Sequence, residues 1–432
     1  MNRFALATSA GIARVTESAL GPYQTAVVRI GFAATWLFFL LRELPHRHEL
    51  YGPDGPWSFD LAERLIGLND AFTVLIWSDG RFWFELVYAL ALLSAALLLV
   101  GWRSRTMSVV FMVGVLSLQN RSVFMGDGGD NVLHLMSIYL VFTRCAQVWS
   151  LDARRAGRER AARARGERVT DRVGPALWAV FGVVLVVATV AGKLGAGWPG
   201  DEAGSGPPRA VVLALNVLST WVGGQGLIPA VLWGVWAAQA VWWTVGRRAR
   251  TDQPRILLDV VANIVHNGAL LVIMAEACLI YATAGWYKIQ GSRWQDGTAV
   301  HYPLHLDYFS PWPALADVLT ASGTLVMLVT YGTVLVQVAF PFALLNRRAK
   351  NVLLALMMFE HAVIAVVLGL PFFSLAMIAA DAVFLPTGFL RRLGAGAARL
   401  SRRLPVPRPG RAVLPGPRKP ENPEPSHVGS PS

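Results

Sequence analysis

The sequence predicts an all-α protein, a polytopic bundle of transmembrane helices. Of its 432 residues, 54% are hydrophobic and only 15% are charged, and the mean hydropathy is +0.45. Soluble domains carry about 25% charged residues. Apolar stretches of about 20 residues recur along the chain, and a stretch of this length can span the hydrocarbon core as a helix. Helices are expected because every backbone polar group in lipid needs an internal partner.

We predict eight to ten membrane spans, and ten is the preferred number. The predicted spans lie near 23–41, 83–100, 106–119, 132–149, 175–195, 225–245, 264–283, 321–345, 351–369 and 371–386. The stretch 210–224 is apolar but short, so it is expected to lie in the interface or to form a partial span. The last predicted span is also short and contains Asp381.

The distribution of basic residues predicts that both termini face the cytoplasm. Loops assigned to the cytoplasm contain 17 lysine and arginine residues among 44, against 8 among 104 in the opposite loops. The cytoplasmic loops are 101–106, 150–172, 246–255 and 346–350. The opposite loops are 42–82, 120–131, 196–210 and 284–319. This asymmetry follows the positive-inside rule for ten spans in a plasma membrane.

The net charge of +12 does not indicate a nucleic-acid partner, because the basic residues lie in short runs between apolar segments. That pattern is typical of loops facing anionic lipid, so the bilayer itself is the expected partner. Residues 1–390 form the predicted membrane domain. Residues 391–432 are rich in proline and arginine and are expected to form a disordered cytoplasmic tail.

Arg29 lies well inside the first predicted span. A charge at a helix centre costs about 2.5–3.5 kcal/mol on insertion scales, so it needs a partner or a function. We expect Arg29 either to pair with Asp130, Glu276 or Asp381 and fix helix packing, or to help bind an anionic or quinone ligand.

Four polar residues, Asp127, Asp130, Asn131 and His134, concentrate where the fourth predicted span begins. Asp130 is a plausible helix N-cap, and acidic residues are favoured at helix N-termini. Capping accounts for Asp130 alone. The whole cluster is compatible with a binding site at one mouth of the bundle.

Glu360 and His361 lie next to each other in the ninth predicted span. They are either satisfied core residues or part of a functional site. His301 and His305 resemble a metal-binding pair in spacing, but Pro303 works against a regular helix between them and no thiol or carboxylate cluster accompanies them. No metal site is therefore predicted.

Lys288 follows a long apolar run and is flanked by Trp286, Tyr287 and Trp294. One interpretation is an anchor, whose ammonium reaches the lipid headgroups beside a belt of aromatic rings. The other is a lysine shielded from water. Poor solvation disfavours an ammonium, so such a lysine can act as a general base near neutral pH.

Five stretches, in this order, resemble the membrane region of the vitamin K-dependent γ-carboxylases and their bacterial relatives, the horizontally transferred transmembrane domain proteins. They are "AVVRIGFAATWLFFLLRELP", "LVYALALLSAALLLVGWRSR", "LVFTRCAQVWSLD", "AGWYKIQGSRWQDG" and "EHAVIAVVLGLPFFSLAMIAADAVFLP". The fourth is followed by Phe309-Ser310-Pro311, as in that family. The resemblance covers roughly 20–152 and 265–390.

The resemblance implies quinol-linked chemistry of the carboxylase or epoxidase type, with reduced menaquinone or another quinol as cofactor. In the carboxylases, the lysine of the fourth motif is the base that deprotonates the reduced quinone, and Lys288 occupies that place. We expect His361 to be the second catalytic residue. The expected substrate or quinone-binding residues are Arg29, Asp127, Asp130, Asn131, His134, Trp286, Trp294 and Glu360.

The sequence also departs from the carboxylases. They carry an Asn-Asn-His element at the start of the fourth span, where this chain has Gly128-Gly129-Asp130-Asn131. We expect no counterpart of the large extracytoplasmic region of the animal carboxylases, and the segment 175–250 has no recognisable counterpart in that family. An alternative function is therefore a non-enzymatic component for maturation, export or immunity of a secreted peptide, because the sporulation-delaying protein B group resembles the same membrane region.

Overall fold

The computed structural model describes residues 3–69, 71–167, 170–195, 227–248 and 251–403, which are helical without any β-strand. This confirms the all-α class. The α-helices of these residues are α1 (Arg3–Glu17), α2 (Pro22–Glu43), α3 (Arg47–Tyr51), α4 (Phe59–Asn69), α5 (Arg81–Val100), α6 (Ser104–Arg121), α7 (Gly128–Val141), α8 (Leu151–Ala164), α9 (Val173–Gly195), α10 (Leu227–Arg248), α11 (Gln253–Gln290), α12 (Ser292–Gln295), α13 (His301–Leu304), α14 (Pro313–Thr320), α15 (Gly323–Ala343), α16 (Arg347–Val367), α17 (Pro371–Asp381) and α18 (Thr387–Arg403). The predicted partial span at 210–224 lies outside the described residues.

Seven helical stretches in the described part of the chain are long and apolar enough to cross a membrane. They are Pro22–Tyr51, Arg81–Val100, Val173–Val190, Leu227–Arg248, Gln253–Gln290, Gly323–Ala343 and Arg347–Val367. An eighth candidate exists if Pro371–Phe384 and Thr387–Leu400 are taken together. The chain is thus a multi-pass membrane protein by the length and composition of its helices.

Three of the ten predicted spans, 106–119, 132–149 and 371–386, do not meet this criterion as single helices. The helix α6 carries polar residues and is buried along most of its length, so it lies inside the bundle. The helix α7 ends at Val141, and the following residues form turns. At 14 residues, α7 is about 21 Å long, less than the hydrocarbon core of about 30 Å.

Helix α11 is much longer than the predicted span at 264–283. Its 38 residues correspond to about 57 Å, almost twice the thickness of the hydrocarbon core. The helix continues beyond the apolar run to Gln290 and thereby includes Lys288 in its last turn. The side chain of Lys288 is consequently fixed to a helix rather than to a loop.

Local sequence explains where several of these helices begin and end. Gly21 adopts a left-handed conformation (φ +58°), and Pro22 then occupies the first turn of α2, where its missing N–H costs nothing. Helix α5 ends at Gly101 (φ +71°), whose N–H bonds back to carbonyls of the last turn. The Ser322 and Asn346 side chains cap α15 and α16.

The main core joins α2, α5, α6, α7 and α17 with the inner faces of α11, α15 and α16. Helix α17 is central: Ala376, Ala380 and Asp381 are almost completely buried. A Cβ placed on Gly31 of α2 would lie 2.5 Å from the Ala379 Cβ, so a glycine is needed where these helices cross. Helix α17 therefore lies within the core, and it meets the length and hydropathy criterion for a span only together with α18.

A boundary between two units falls between Leu390 and Arg391. Disorder was expected from residue 391, but α18 extends to Arg403. The reason lies in the sequence, because the residues of α18 are mostly good helix formers and the proline-rich composition begins only at Pro405. Residues 404–432 lie outside the described residues.

Candidate functional site

One face of helix α11 carries two polar side chains and packs against α15. Tyr281, Gly285 and Lys288 follow each other at intervals of four and three residues, so they lie on the same side of the helix. A Cβ on Gly285 would lie 2.6 Å from Val338 Cγ2 of α15. This close approach brings the last turn of α11 next to the polar side chain at position 337.

Lys288 begins a chain of hydrogen bonds across three helices. Its Nζ donates to Gln337 Oε1 at 2.5 Å, and Gln337 Nε2 donates to Glu360 Oε1 at 2.9 Å. Thr333, one turn before Gln337, also lies beside the Glu360 carboxylate. The ammonium therefore has polar companions from α15 and α16 and is linked to a carboxylate through the Gln337 amide.

A second set of contacts surrounds Tyr281. Its hydroxyl donates to Asp381 Oδ2 at 3.0 Å and lies 3.1 Å from His361 Nε2. The three side chains are at most 3% exposed. Because the hydroxyl has one proton and donates it to Asp381, a neutral His361 must donate from Nε2 and keep Nδ1 unprotonated. Among the residues that the structure describes, His361 Nδ1 and Asp381 Oδ1 find no hydrogen-bond partner.

The two sets are joined because Glu360 and His361 are consecutive residues of α16. We call Lys288, Gln337, Glu360, Tyr281, His361 and Asp381 the polar cluster. Its members come from α11, α15, α16 and α17, four helices whose remaining residues are mostly apolar. Polar and ionisable groups within membrane helices are costly and mark functional sites by default.

Aromatic side chains border the polar cluster at Lys288. The Trp294 ring centroid lies 5.2 Å from Lys288 Nζ, within range of a cation–π contact. Trp286 and Tyr287 are 61% and 74% exposed and point away from the bundle. Their exposure is compatible with the aromatic belt, which stays a prediction, whereas Trp294 lies beside the ammonium itself.

The predicted mouth residues form a helix cap. Asp127, not Asp130, is the N-cap of α7: its carboxylate accepts from the N–H groups of Gly129 and Asp130, and Asp130 Oδ2 accepts from the Asp127 N–H at 2.8 Å. The prediction that Asp130 is the N-cap was therefore wrong by three residues. Gln119 bonds both Asp130 and His134 Nδ1, while the side chain of Asn131 is exposed.

Phe373 connects this cap with the polar cluster. A Cβ on Gly129 would lie 2.6 Å from Phe373 Cα, so the start of α7 packs directly on α17. The Phe373 ring meets the His361 imidazole edge-to-face, with centroids 5.5 Å apart. Phe373 thus contacts both the first turn of α7 and the buried histidine.

Arg29 is buried completely but has no acidic partner among those predicted. Its guanidinium donates to the backbone carbonyls of Leu98 and Leu99, at the end of α5, and to that of Trp149 at 2.8 Å. The last carbonyls of a helix lack intrahelical partners and carry partial negative charge, so they can solvate a guanidinium. These contacts support the structural interpretation of Arg29.

The imidazoles of His301 and His305 lie 4.1 Å apart, and His305 Nδ1 contacts the His301 carbonyl oxygen. No group of three or more potential metal ligands occurs in the described ranges.

Sequence reasoning missed Gln337 and Tyr281, and it named Asp381 only as a possible partner of Arg29. The signal for Gln337 was present, since it is an isolated amide inside the apolar run "VLVQVAF". Tyr281 gave no such signal, because an aromatic residue is ordinary near the end of a membrane helix.

Comparisons with known proteins do not assign this chain to a family: no family model, curated protein or solved structure matches it.

Proposed function

We propose that this chain is a plasma-membrane enzyme of quinol-linked chemistry, in which Lys288 takes a proton from a hydroxyl group of a lipid-soluble substrate. One observation carries the proposal. The Lys288 ammonium is bonded to Gln337, and through it to Glu360, instead of extending alone towards headgroups. The resemblance to the γ-carboxylase membrane region supports the same role for Lys288.

Lys288 must bind and release a proton if it is to act as a base. When protonated, its ammonium donates to Gln337 Oε1, and the carboxylate of Glu360 stabilises the positive charge electrostatically. When unprotonated, Nζ has a lone pair that can accept from a nearby hydroxyl. The short contact with Gln337 fixes its direction in both states, which is what positioning a general base requires.

The residues around Lys288 fit a reduced quinone such as menaquinol. Its aromatic ring can stack on Trp294, and its isoprenoid chain can leave between apolar helices into lipid. The unpartnered His361 Nδ1 and Asp381 Oδ1 are buried acceptors of the kind that a hydroxyl-bearing ligand satisfies. When bound, the reduced quinone would supply electrons to oxygen and thereby drive the removal of a poorly acidic substrate proton.

His361 would act as a positioning residue or as a second proton acceptor. Its Nε2 is engaged by Tyr281, so only Nδ1 remains for a ligand. The capping residues Asp127 and Asp130 flank Gly128 and Gly129, which pack on Phe373, and the Phe373 ring contacts His361. Their expected contribution is to hold α7 and Phe373 in place. Asp127 and Asn131 are exposed, whereas Asp130 and His134 are partly buried.

A non-enzymatic component for maturation, export or immunity of a secreted peptide is the second candidate. The observation that favours this candidate is that the Gln337 side-chain oxygen accepts from Lys288 and its side-chain nitrogen donates to Glu360. A fully bonded chain of this kind can simply lock α11, α15 and α16 together.

The test is to extract lipids from the detergent-purified protein, search for quinone by mass spectrometry, and measure oxygen-dependent consumption of reduced menaquinone. The Lys288→Ala variant should lose activity by at least about 100-fold, a typical contribution of general-base catalysis. Lys350→Ala is the matched control, because Lys350 donates to the Phe384 carbonyl and lies outside the polar cluster. Absence of both bound quinone and turnover in the wild-type protein would favour the non-enzymatic candidate.

A further inference from the structure

A separate cavity of about 930 Å³ lies where the segments before α6, after α7 and before α11 meet helix α8. None of the polar cluster residues lines it. Its lining combines basic and aromatic side chains and includes Arg103, Arg105, Arg144, Arg155, Arg160 and Arg255. These arginines belong to loops predicted to face the cytoplasm or to the segments bordering them.

Three of these arginines are neutralised by carboxylates. Asp171 binds Arg103 and Asp259 binds Arg144, while Arg155 lies between Asp152 and Glu159. In particular, the Arg103 guanidinium lowers the pKa of the Asp171 carboxyl to about 2, so that pair is ionised at neutral pH.

The other three, Arg105, Arg160 and Arg255, form no ion pair with a carboxylate in the part of the chain that the structure describes. All three side chains are exposed although they line a cavity. The cavity thus has an excess of positive charge and free guanidinium N–H donors. Donors of this geometry suit the oxygens of a phosphate group.

Arg105 is oriented by its surroundings. Its guanidinium lies over the Trp242 ring, 4.9 Å from the centroid, and Gln239 Oε1 is 3.5 Å away. Stacking on an indole holds the guanidinium plane while leaving most of its N–H donors available. Asp152 already accepts from the N–H groups of Arg103 and Ser104, so the N-terminus of α6 is not an additional anion site.

Helices α9 and α10 supply an aromatic wall to the same cavity. Trp178 and Trp236 are stacked at 4.6 Å, and each indole N–H donates to the other residue's carbonyl, at 3.0 and 3.2 Å. Both helices are candidate membrane spans, and Val180, Val183 and Val187 of α9 are at least 60% exposed. The basic cavity therefore continues into a surface suited to hydrocarbon.

From this juxtaposition we propose that the cavity binds a phosphate-bearing membrane amphiphile. Arg105, Arg160 and Arg255 contact the phosphate, and the apolar chain follows α9 and α10. An anionic glycerophospholipid has this combination of groups, and anionic lipids are enriched in the leaflet that positive loops face. The site does not depend on the proposed quinol chemistry.

The experiment measures binding by native mass spectrometry of the full chain in detergent. The probes are short-chain phosphatidylglycerol, short-chain phosphatidylcholine and inorganic phosphate. Arg105→Gln combined with Arg255→Gln removes two cavity arginines. Arg154→Gln combined with Arg163→Gln removes two exposed arginines of α8 that do not line the cavity, and so changes the net charge equally.

We expect phosphatidylglycerol to bind the wild-type chain and the control, and to bind the cavity variant at least about tenfold more weakly, since hydrogen bonds to charged groups are lost. Equal losses in both double variants would show unspecific surface attraction and overturn the proposal, as would equally tight binding of phosphatidylcholine. Binding of inorganic phosphate without phosphatidylglycerol would contradict the lipid assignment. If the cavity variant does not fold, Arg160→Gln alone is the replacement, because its side chain is exposed on α8.

Discussion

Tyr281→Phe is the most informative change in the polar cluster, because it removes one oxygen atom that two buried groups share. The hydroxyl lies 3.0 Å from Asp381 Oδ2 and 3.1 Å from His361 Nε2. A buried polar group left without a partner costs about 1–3 kcal/mol. Asp381 Oδ1 is already unpartnered, so we expect a loss of about 2–4 kcal/mol in the free energy of unfolding.

Tyr88→Phe is the matched control. Tyr88 and Tyr281 are both 1% exposed, but the Tyr88 hydroxyl makes one hydrogen bond, to the Leu40 carbonyl at 2.6 Å. That carbonyl belongs to a helix, and we expect a loss of only about 1 kcal/mol. The free energies can be obtained by titrating the folded protein in mixed micelles with sodium dodecyl sulfate. A loss for Tyr281→Phe no larger than that for Tyr88→Phe would refute the idea that two buried groups share the Tyr281 hydroxyl.

Two further changes test the surroundings of the polar cluster, and a third tests the Arg103–Asp171 ion pair at the separate cavity. Gly129→Ala should lower stability by about 1–3 kcal/mol through overpacking against the Phe373 backbone, and an unchanged melting temperature would contradict the close contact. Asp127→Ala should cost about 1 kcal/mol by removing the α7 cap, whereas Asp127→Asn should retain most of the stability. Arg103 lowers the pKa of Asp171 from 3.8 to about 2, so the pair stabilises the fold above pH 4, and this contribution is lost as the pH falls towards 2. Because the carboxylate is 38% exposed, we expect about 1 kcal/mol after screening, and Asp171→Asn should abolish this part of the pH dependence in acid unfolding curves.

Much of the fold could be predicted from the sequence because long apolar runs have few alternatives to membrane helices. The apolar run that ends near Lys288 predicted helix α11. It did not predict the full length of this helix, because the polar residues from Gln253 onward are compatible with either a helix or a loop. The early end of α7 was not predictable either. Just beyond this end the chain makes a tertiary contact that the sequence does not indicate, in which the Arg144 N–H donates to His266 Nδ1 of α11.

The candidate site was predicted in part. Lys288, Glu360 and His361 were identifiable because an ionisable residue in an apolar run requires an explanation. Their partners were not, because which residues of α15 and α17 face them depends on helix rotation and crossing. For Arg29, the prediction failed for another reason. An acidic partner was expected because the side chain is charged, but Arg29 binds main-chain carbonyls. Every residue has such a carbonyl, so the sequence does not indicate which ones it binds.

The central claim is that Lys288 acts as a base, and Lys288→Arg tests it most directly. Arginine keeps the positive charge and the ability to donate to Gln337, but it stays protonated and so cannot accept a proton. Oxygen-dependent consumption of reduced menaquinone should be measured for both proteins at equal folded concentration. We predict that the variant folds with near wild-type stability and loses turnover by at least about 100-fold. Turnover of Lys288→Arg at the wild-type rate would contradict the claim and leave Lys288 as a residue that joins helices.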